Sequence, residues 1–305
     1  MQKGINKKTR TFHGVAIDAG SGLEATLREV RGDNAAPNDL AVFKRSVLEV
    51  LGAGASTALV DAQLGSELLP YYPKGCAPTL AYEADVYHIS DEDRITVLPE
   101  HLKPSDYADL GVEQLKFFIY YAPDDKADLN ARKQELVADI GQQCKDLNLR
   151  YLMEPLVYHP TIESGTPEYA RIKPELVQAA TQLFAESRFH ADVLKVEVPV
   201  DLNYVEGFGE AHRSREETLE AFRFAAAPAS QHELVYLSAG VSFNWFEASL
   251  QLASEAGVEF GGFMCGRALW SDAVAVFGAG GEDKLRQWLT DVGVARLERL
   301  IKALD

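Results

Sequence analysis

Eight short apolar runs, rich in β-branched and aromatic residues, recur along the 305-residue chain, and each is separated from the next by more than a hairpin turn. They are His13–Asp18, Ser56–Asp61, Ala77–Tyr82, Gln114–Tyr121, Leu149–Glu154, Val193–Val200, Leu234–Ala239 and Gly261–Gly266. Runs of this length and composition are strands, and strands spaced so widely need crossover connections. Two of the connections show the helical period. Leu129, Leu136, Val137, Ile140, Cys144 and Leu147 share one face, as do Leu176, Val177, Ala180, Leu183 and Phe184. Ser214 with Glu217 spells a capping box ahead of Leu219 and Phe222, and Gly257 closes a helix that begins near Asn244. Strand and helix therefore alternate, with no linker or low-complexity stretch between halves. The pattern predicts a single-domain (β/α)8 barrel over residues 1–305. A dinucleotide-binding open sheet fits less well, because Asp18-Ala-Gly-Ser-Gly22 after the first strand is wrongly spaced for a G-x-G-x-x-G turn.

Charge and cysteine usage narrow the partners. Thirty basic against forty-six acidic residues give a net charge of −16, with no basic block longer than Lys7-Lys8 and Arg10. That balance disfavours nucleic acid, and it requires any anion site to be built locally from a few cations and backbone N–H groups. Cys76, Cys144 and Cys265 are odd in number and unpaired in spacing, which predicts reduced thiols. Nowhere do eighteen apolar residues run together, and the basic N-terminus is not followed by a long apolar stretch. The expectation is a cytoplasmic protein without a membrane partner; a homo-oligomer is compatible with the sequence. His13, His88, His159 and His212 stand far apart, outside any metal-binding spacing, so no metal or other cofactor is expected.

Barrel enzymes carry their chemistry at the C-terminal ends of strands, so ionisable residues there come first. Strand alternation sends Lys195, Glu197 and Pro199 to one face and Leu194, Val196 and Val198 to the other. A buried lysine is driven toward the neutral amine, which attacks ketones; the pattern is equally that of an internal Lys195–Glu197 ion pair. Lys116 lies between Leu115 and Phe117, either as a second barrel cation or as a strand-start lysine reaching water. Glu154 ends the fifth strand, placed for proton transfer or for a salt bridge. Asp18 and Asp61 end the first two strands, where an aspartate either handles a sugar hydroxyl or serves the turn. Ser238-Ala-Gly-Val241 and Cys265-Gly-Arg-Ala268 follow strands seven and eight, the usual phosphate position in barrels. There backbone N–H groups exposed by glycine and the Arg267 guanidinium are candidate anion ligands, although a turn glycine and a surface arginine would explain either fragment separately; His159 is a loop residue that could touch substrate or simply be solvated.

The segments Leu115–Tyr121, Tyr151–Glu154, Asp192–Val200, Leu237–Val241 and Cys265–Trp270, with Pro167–Ala170 and Val205–Phe208, resemble the class I tagatose-bisphosphate aldolase family. They resemble the sulfofructose-phosphate aldolases more distantly. The resemblance implies a metal-independent barrel with a Schiff-base lysine at Lys195, an acid/base at Glu154 and an active-site cation at Lys116. It also implies that Ser238, Gly240, Gly266 and Arg267 hold the phosphate of the dihydroxyacetone half of a ketose 1-phosphate or 1,6-bisphosphate, such as tagatose 1,6-bisphosphate. The second product would then be an aldehyde such as glyceraldehyde 3-phosphate. The chain departs from the family after its first strand. It reads Asp18-Ala-Gly-Ser21 where the family has Asp-Gln-Arg-Gly, and the lost side chains help hold the second phosphate. Arg28, Arg31 and Lys74 are the candidate replacements. Rival readings are the same chemistry on a sulfonated or unphosphorylated C6 end, and a sugar-phosphate-binding regulator without turnover.

Overall fold

The computed structural model describes residues 11–85, 89–90 and 92–304; His88 and the basic stretch through Arg10 lie outside them. The strands are β1 Phe12–Ile17, β2 Thr57–Val60, β3 Ala77–Ala81, β4 Gln114–Tyr121, β5 Arg150–Val157, β6 Val193–Glu197, β7 Glu233–Leu237 and β8 Gly262–Cys265. They pair in sequence order, all parallel, and β8 returns to β1 to close the barrel. All eight strands read from the sequence are present, so the (β/α)8 expectation is borne out. The main differences are at strand ends. β6 stops at Glu197 rather than Val200 because Pro199 has no N–H for the ladder.

The wall is made by α1 Ser21–Arg31, α2 Asp39–Gly52, α3 Gly65–Leu68, α4 Ala127–Asp146, α5 Pro167–Phe184, α6 Arg215–Ala226 and α7 Phe243–Glu255. After β8 come α8 Arg267–Trp270, α9 Ala273–Trp288 and α10 Val294–Lys302. The Ser214/Glu217 capping box forms at the start of α6, and Gly257 takes a φ of 73° just beyond α7. Leu147 departs from its expected face: α4 has ended at Asp146, and Leu147 is 44% exposed.

Strict alternation of strand and helix fails once. The connection over 82–113 contains no α-helix among its described residues, only a 3₁₀ turn at Pro104–Asp106. Pro99 and Pro104 interrupt it, and its acidic residues show no apolar period on which a helix could dock.

Two apolar layers result. The larger joins strand backs to helices; the smaller fills the barrel with Phe12, Ala16, Leu59, Ala81, Leu152, Val193, Val235 and Met264. Because strand side chains repeat every second residue, each inward residue predicts what stands above it. Two positions beyond Ala16, Ala81, Leu152 and Val193 come Asp18, Glu83, Glu154 and Lys195. The apolar plug thus supports a charged layer at the C-terminal mouth.

Candidate active site

Lys195 and Lys116 are 3% and 2% exposed, and both nitrogens reach the same carboxylate oxygen. Glu154 Oε2 accepts from Lys195 Nζ at 3.0 Å and lies 2.9 Å from Lys116 Nζ. Lys116 also donates to Asp18 Oδ2 at 3.0 Å and to Glu83 Oε1. It is therefore a barrel cation and not a strand-start lysine in water. The internal pair left open for Lys195 is likewise not Glu197. That carboxylate accepts from the Val157 N–H at 2.8 Å and lies 3.7 Å from Lys173 Nζ.

Three carboxylates and two ammonium groups share this layer, and their mutual effects set its charge. Burial works against the Lys116 charge, but Glu154, Glu83 and Asp18 outweigh it and raise its pKa well above the usual lysine range. For Asp18, burial works against ionisation, while Lys116 and Lys195 more than compensate and hold it well below the usual carboxylate range. Glu83 goes the other way. Burial lifts it to about 7 despite Lys116, and Asp18 and Glu154 add to the rise. Its Oε2 has no hydrogen-bond partner among the described residues. Glu83 was missed in the sequence because it lies just beyond β3 in an acidic stretch; its parity with Thr79 and Ala81 was the available signal.

The candidate anion ligands meet across the mouth. Ala239 and Gly240 have φ of 47° and 81°, a left-handed turn closed by the Val241 N–H to the Ser238 carbonyl at 3.0 Å. A Cβ on Gly240 would come within 2.9 Å of Arg267 Nη2, so the missing side chain lets the guanidinium lie over that turn. Gly266 backs onto β1, where a Cβ would lie 2.4 Å from the Ala16 carbonyl oxygen. The Trp270 indole donates to that same carbonyl at 2.9 Å and ties α8 to β1.

Asp61 and His159 make their contacts with other groups. Asp61 accepts the Leu64 N–H at 3.0 Å and pairs with Lys44 of α2, which is fully buried. His159 Nδ1 accepts the Ile162 N–H at 3.0 Å, fastening its own loop. That loop borders a cleft with Arg94, Tyr158, Ser164 and Tyr169. None of the three candidate replacement cations reaches Ala19–Ser21. Arg28 pairs with Glu24, Arg31 pairs with Asp39, and Lys74 precedes β3 at the opposite end of the barrel. A carboxylate is there instead: Asp85 Oδ2 accepts the Ser21 N–H. Among the described residues, no group of three or more His, Cys, Asp or Glu could hold a metal, and no helix is long and apolar enough to cross a membrane.

The profile of the DeoC/LacD family aldolases matches residues 13–272. The tagatose 1,6-diphosphate aldolase of Staphylococcus aureus (strain JH9) is 35% identical over 293 residues, covering 95% of this chain and 90% of its own. That of Listeria monocytogenes serotype 4b (strain CLIP80459) is 33% identical over 294 residues, covering 95% and 86%. A solved fructose-bisphosphate aldolase from Plasmodium falciparum superposes with a TM-score of 0.70 at 15% identity, covering 98% of this chain and 91% of that one, a likeness of fold. The chain belongs to the DeoC/LacD family of aldolases, and so to the lyases.

Proposed function

We propose that this aldolase works through a Schiff base on Lys195 and cleaves a ketose 1-phosphate or 1,6-bisphosphate, releasing dihydroxyacetone phosphate and an aldehyde. The observation that carries the reading is the single oxygen, Glu154 Oε2, in contact with both Lys195 and Lys116. A lysine that must attack a ketone has to shed a proton, and Glu154 is within reach to take it. Lys116 stays charged beside it and repels a second cation.

The neutral Lys195 amine adds to the C2 carbonyl, and Glu154 delivers the proton on which the carbinolamine loses water to become an iminium. The C3–C4 bond then breaks, its electron pair flowing into the iminium to leave an enamine. Asp18, ionised and facing the mouth, accepts the proton of the C4 hydroxyl as the aldehyde forms. Protonation at C3 and addition of water release dihydroxyacetone phosphate and restore the amine. Lys116 steadies the oxyanions that develop along the way. Ser238, Gly240, Gly266 and Arg267 hold the C1 phosphate, supported by the left-handed turn and by the guanidinium lying over it. The tagatose 1,6-diphosphate aldolases at 33–35% identity support a substrate of this class. Asp61, with both oxygens engaged by protein, has no direct contact with substrate in this scheme and supports the mouth from the side.

Borohydride added with dihydroxyacetone phosphate should fix a triose-phosphate mass on the peptide containing Lys195. An active enzyme with no adduct, or with the adduct on another lysine, overturns the assignment.

A further inference from the structure

Lys195 and Glu154 stand on neighbouring strands, and each is fixed by the strand on its far side. β4 follows β5 from the Gln114–Arg150 register to Tyr121–Val157, which sets Glu154 opposite Phe118. β7 follows β6 from Val193–Glu233 to Glu197–Leu237, which sets Lys195 opposite Val235. Between β5 and β6 the pairing is short: Leu152 with Val193, then Met153 with Leu194. The next register would be Glu154 with Lys195. The ladder thus stops one residue short of the reacting pair.

Carboxylates of the β6 segment stitch the seam on either side of that ladder. Before it, Asp192 Oδ2 accepts the Tyr151 N–H at 2.8 Å. After it, Glu197 Oε2 accepts the Val157 N–H at 2.8 Å, beyond the gap where Glu154 and Lys195 meet. Val157 is the last residue of β5, and its carbonyl is held as well: the Tyr169 hydroxyl of α5 donates to it at 2.9 Å. One helical turn further along α5, Lys173 Nζ lies 3.7 Å from Glu197 Oε1. Glu197, Tyr169 and Lys173 are all buried, so water competes little for these contacts. Both oxygens of Glu197 are engaged by the protein, which makes it a clamp on the end of β5 and not a group offered to substrate.

We propose that Glu197 is a positioning residue for proton transfer between Lys195 and Glu154. By tying Val157 to β6 it closes the far side of the gap, so β5 cannot splay from β6 and Glu154 Oε2 stays 3.0 Å from Lys195 Nζ. Proton transfer demands that reach, and a misplacement of about 1 Å is enough to slow it. The anion ligands follow β7 and β8, which the seam does not touch, so binding of the C1 phosphate should be spared. This inference rests on the Schiff-base reading of Lys195.

The test measures kcat and KM for triose-phosphate release, with the time course of borohydride trapping by dihydroxyacetone phosphate, in Glu197→Leu, Glu197→Gln and Tyr169→Phe. Both Glu197 variants remove the charge beside Lys173 and should melt below the wild type, but only leucine leaves the Val157 N–H without its acceptor. Glu197→Leu should lower kcat of the folded fraction by about 10–10²-fold and slow trapping with it, while KM stays within about twofold. Glu197→Gln should keep kcat within about threefold of the wild type despite its lower melting temperature. Tyr169→Phe frees the Val157 carbonyl and should slow the same steps by about threefold or more; added to Glu197→Leu it should do little further, because both act on one residue. Three results overturn the proposal: an unchanged kcat in Glu197→Leu, a rise in KM alone, or a glutamine variant as slow as the leucine one. If Glu197→Leu does not fold, an unslowed Tyr169→Phe overturns it instead. Active wild type that fails to trap on Lys195 would strike the Schiff base, whereas a trapped wild type with unslowed variants would strike Glu197 alone.

Discussion

The molecule buries lysine–carboxylate groups of two kinds. Lys44 of α2 pairs with Asp61, whose other oxygen holds the turn at Leu64, so every acceptor in that group has a structural duty. Inside the barrel mouth, two lysines meet three carboxylates, and the buried Glu83 Oε2 has no hydrogen-bond partner among the described residues. The first arrangement is closed, one cation to one anion. The second is open: its charge depends on a proton that can come or go near neutral pH. Burial of charge alone therefore does not mark a reactive site. A surplus of titratable groups over what the fold needs does.

Substitutions break this comparison in a graded way. Lys195→Met should lower kcat by on the order of 10⁴ or more, as loss of a nucleophile does, in a steady-state assay of triose-phosphate release. Thermal melting should barely change, because Glu154 keeps Lys116 as a partner. Lys44→Met should do the reverse. It leaves Asp61 with an unpaired buried charge and should cost about 3–5 kcal/mol in denaturant unfolding, with kcat of the folded fraction nearly unchanged. Adding Asp61→Leu should recover much of that loss, and failure to recover it would mean that Asp61 has a duty beyond pairing. Lys116→Gln should lower kcat by about 10²–10³, the effect of losing one preorganised charge at an oxyanion.

The smallest effect is the most diagnostic. Glu83 has its folded pKa raised from 4.5 to about 7, so its contribution to stability is complete below pH 4.5 and is lost as pH rises through 7. Glu83→Gln should remove that decline, worth about 3 kcal/mol at most, from the pH dependence of unfolding measured between pH 5 and 8. It should also flatten any inflection near pH 7 in kcat/KM. An unchanged profile would mean that the layer holds its charge by other groups.

Much of this was legible in the sequence because the barrel converts a period of two into a position. Lys116 and Lys195 announced themselves as charges inside apolar strands; Glu154 was expected to end its strand, but β5 runs on to Val157 and Glu154 lies within it. Glu83 obeys the same period but lies one step outside β3, among enough acidic neighbours to look like ordinary loop. Lys44 was hidden for the opposite reason: a lysine on a helix is usually solvated, and only the closeness of β2 shows that this one is not. The contact between Asp85 and Ser21 joins residues 64 positions apart, through strands that are not neighbours in the sheet. No local pattern encodes it. The left-handed turn at Ala239–Gly240 was only half visible, since the glycine was expected and the alanine was not.

The connection over 82–113 is the one stretch of wall between consecutive strands that no α-helix fastens, among its described residues, to the barrel. It nonetheless contributes Glu83 to the charged layer and Arg94 to the cleft beside the His159 loop. Part of the mouth is therefore carried by a segment held through separate buried side chains, Tyr82, Leu102, Tyr107 and Val112, with no α-helix among its described residues, while Lys195 sits within a barrel strand. For protein engineering this means that changes in 84–98 leave the helical wall alone but must keep Thr96, whose hydroxyl donates to the Phe118 carbonyl of β4.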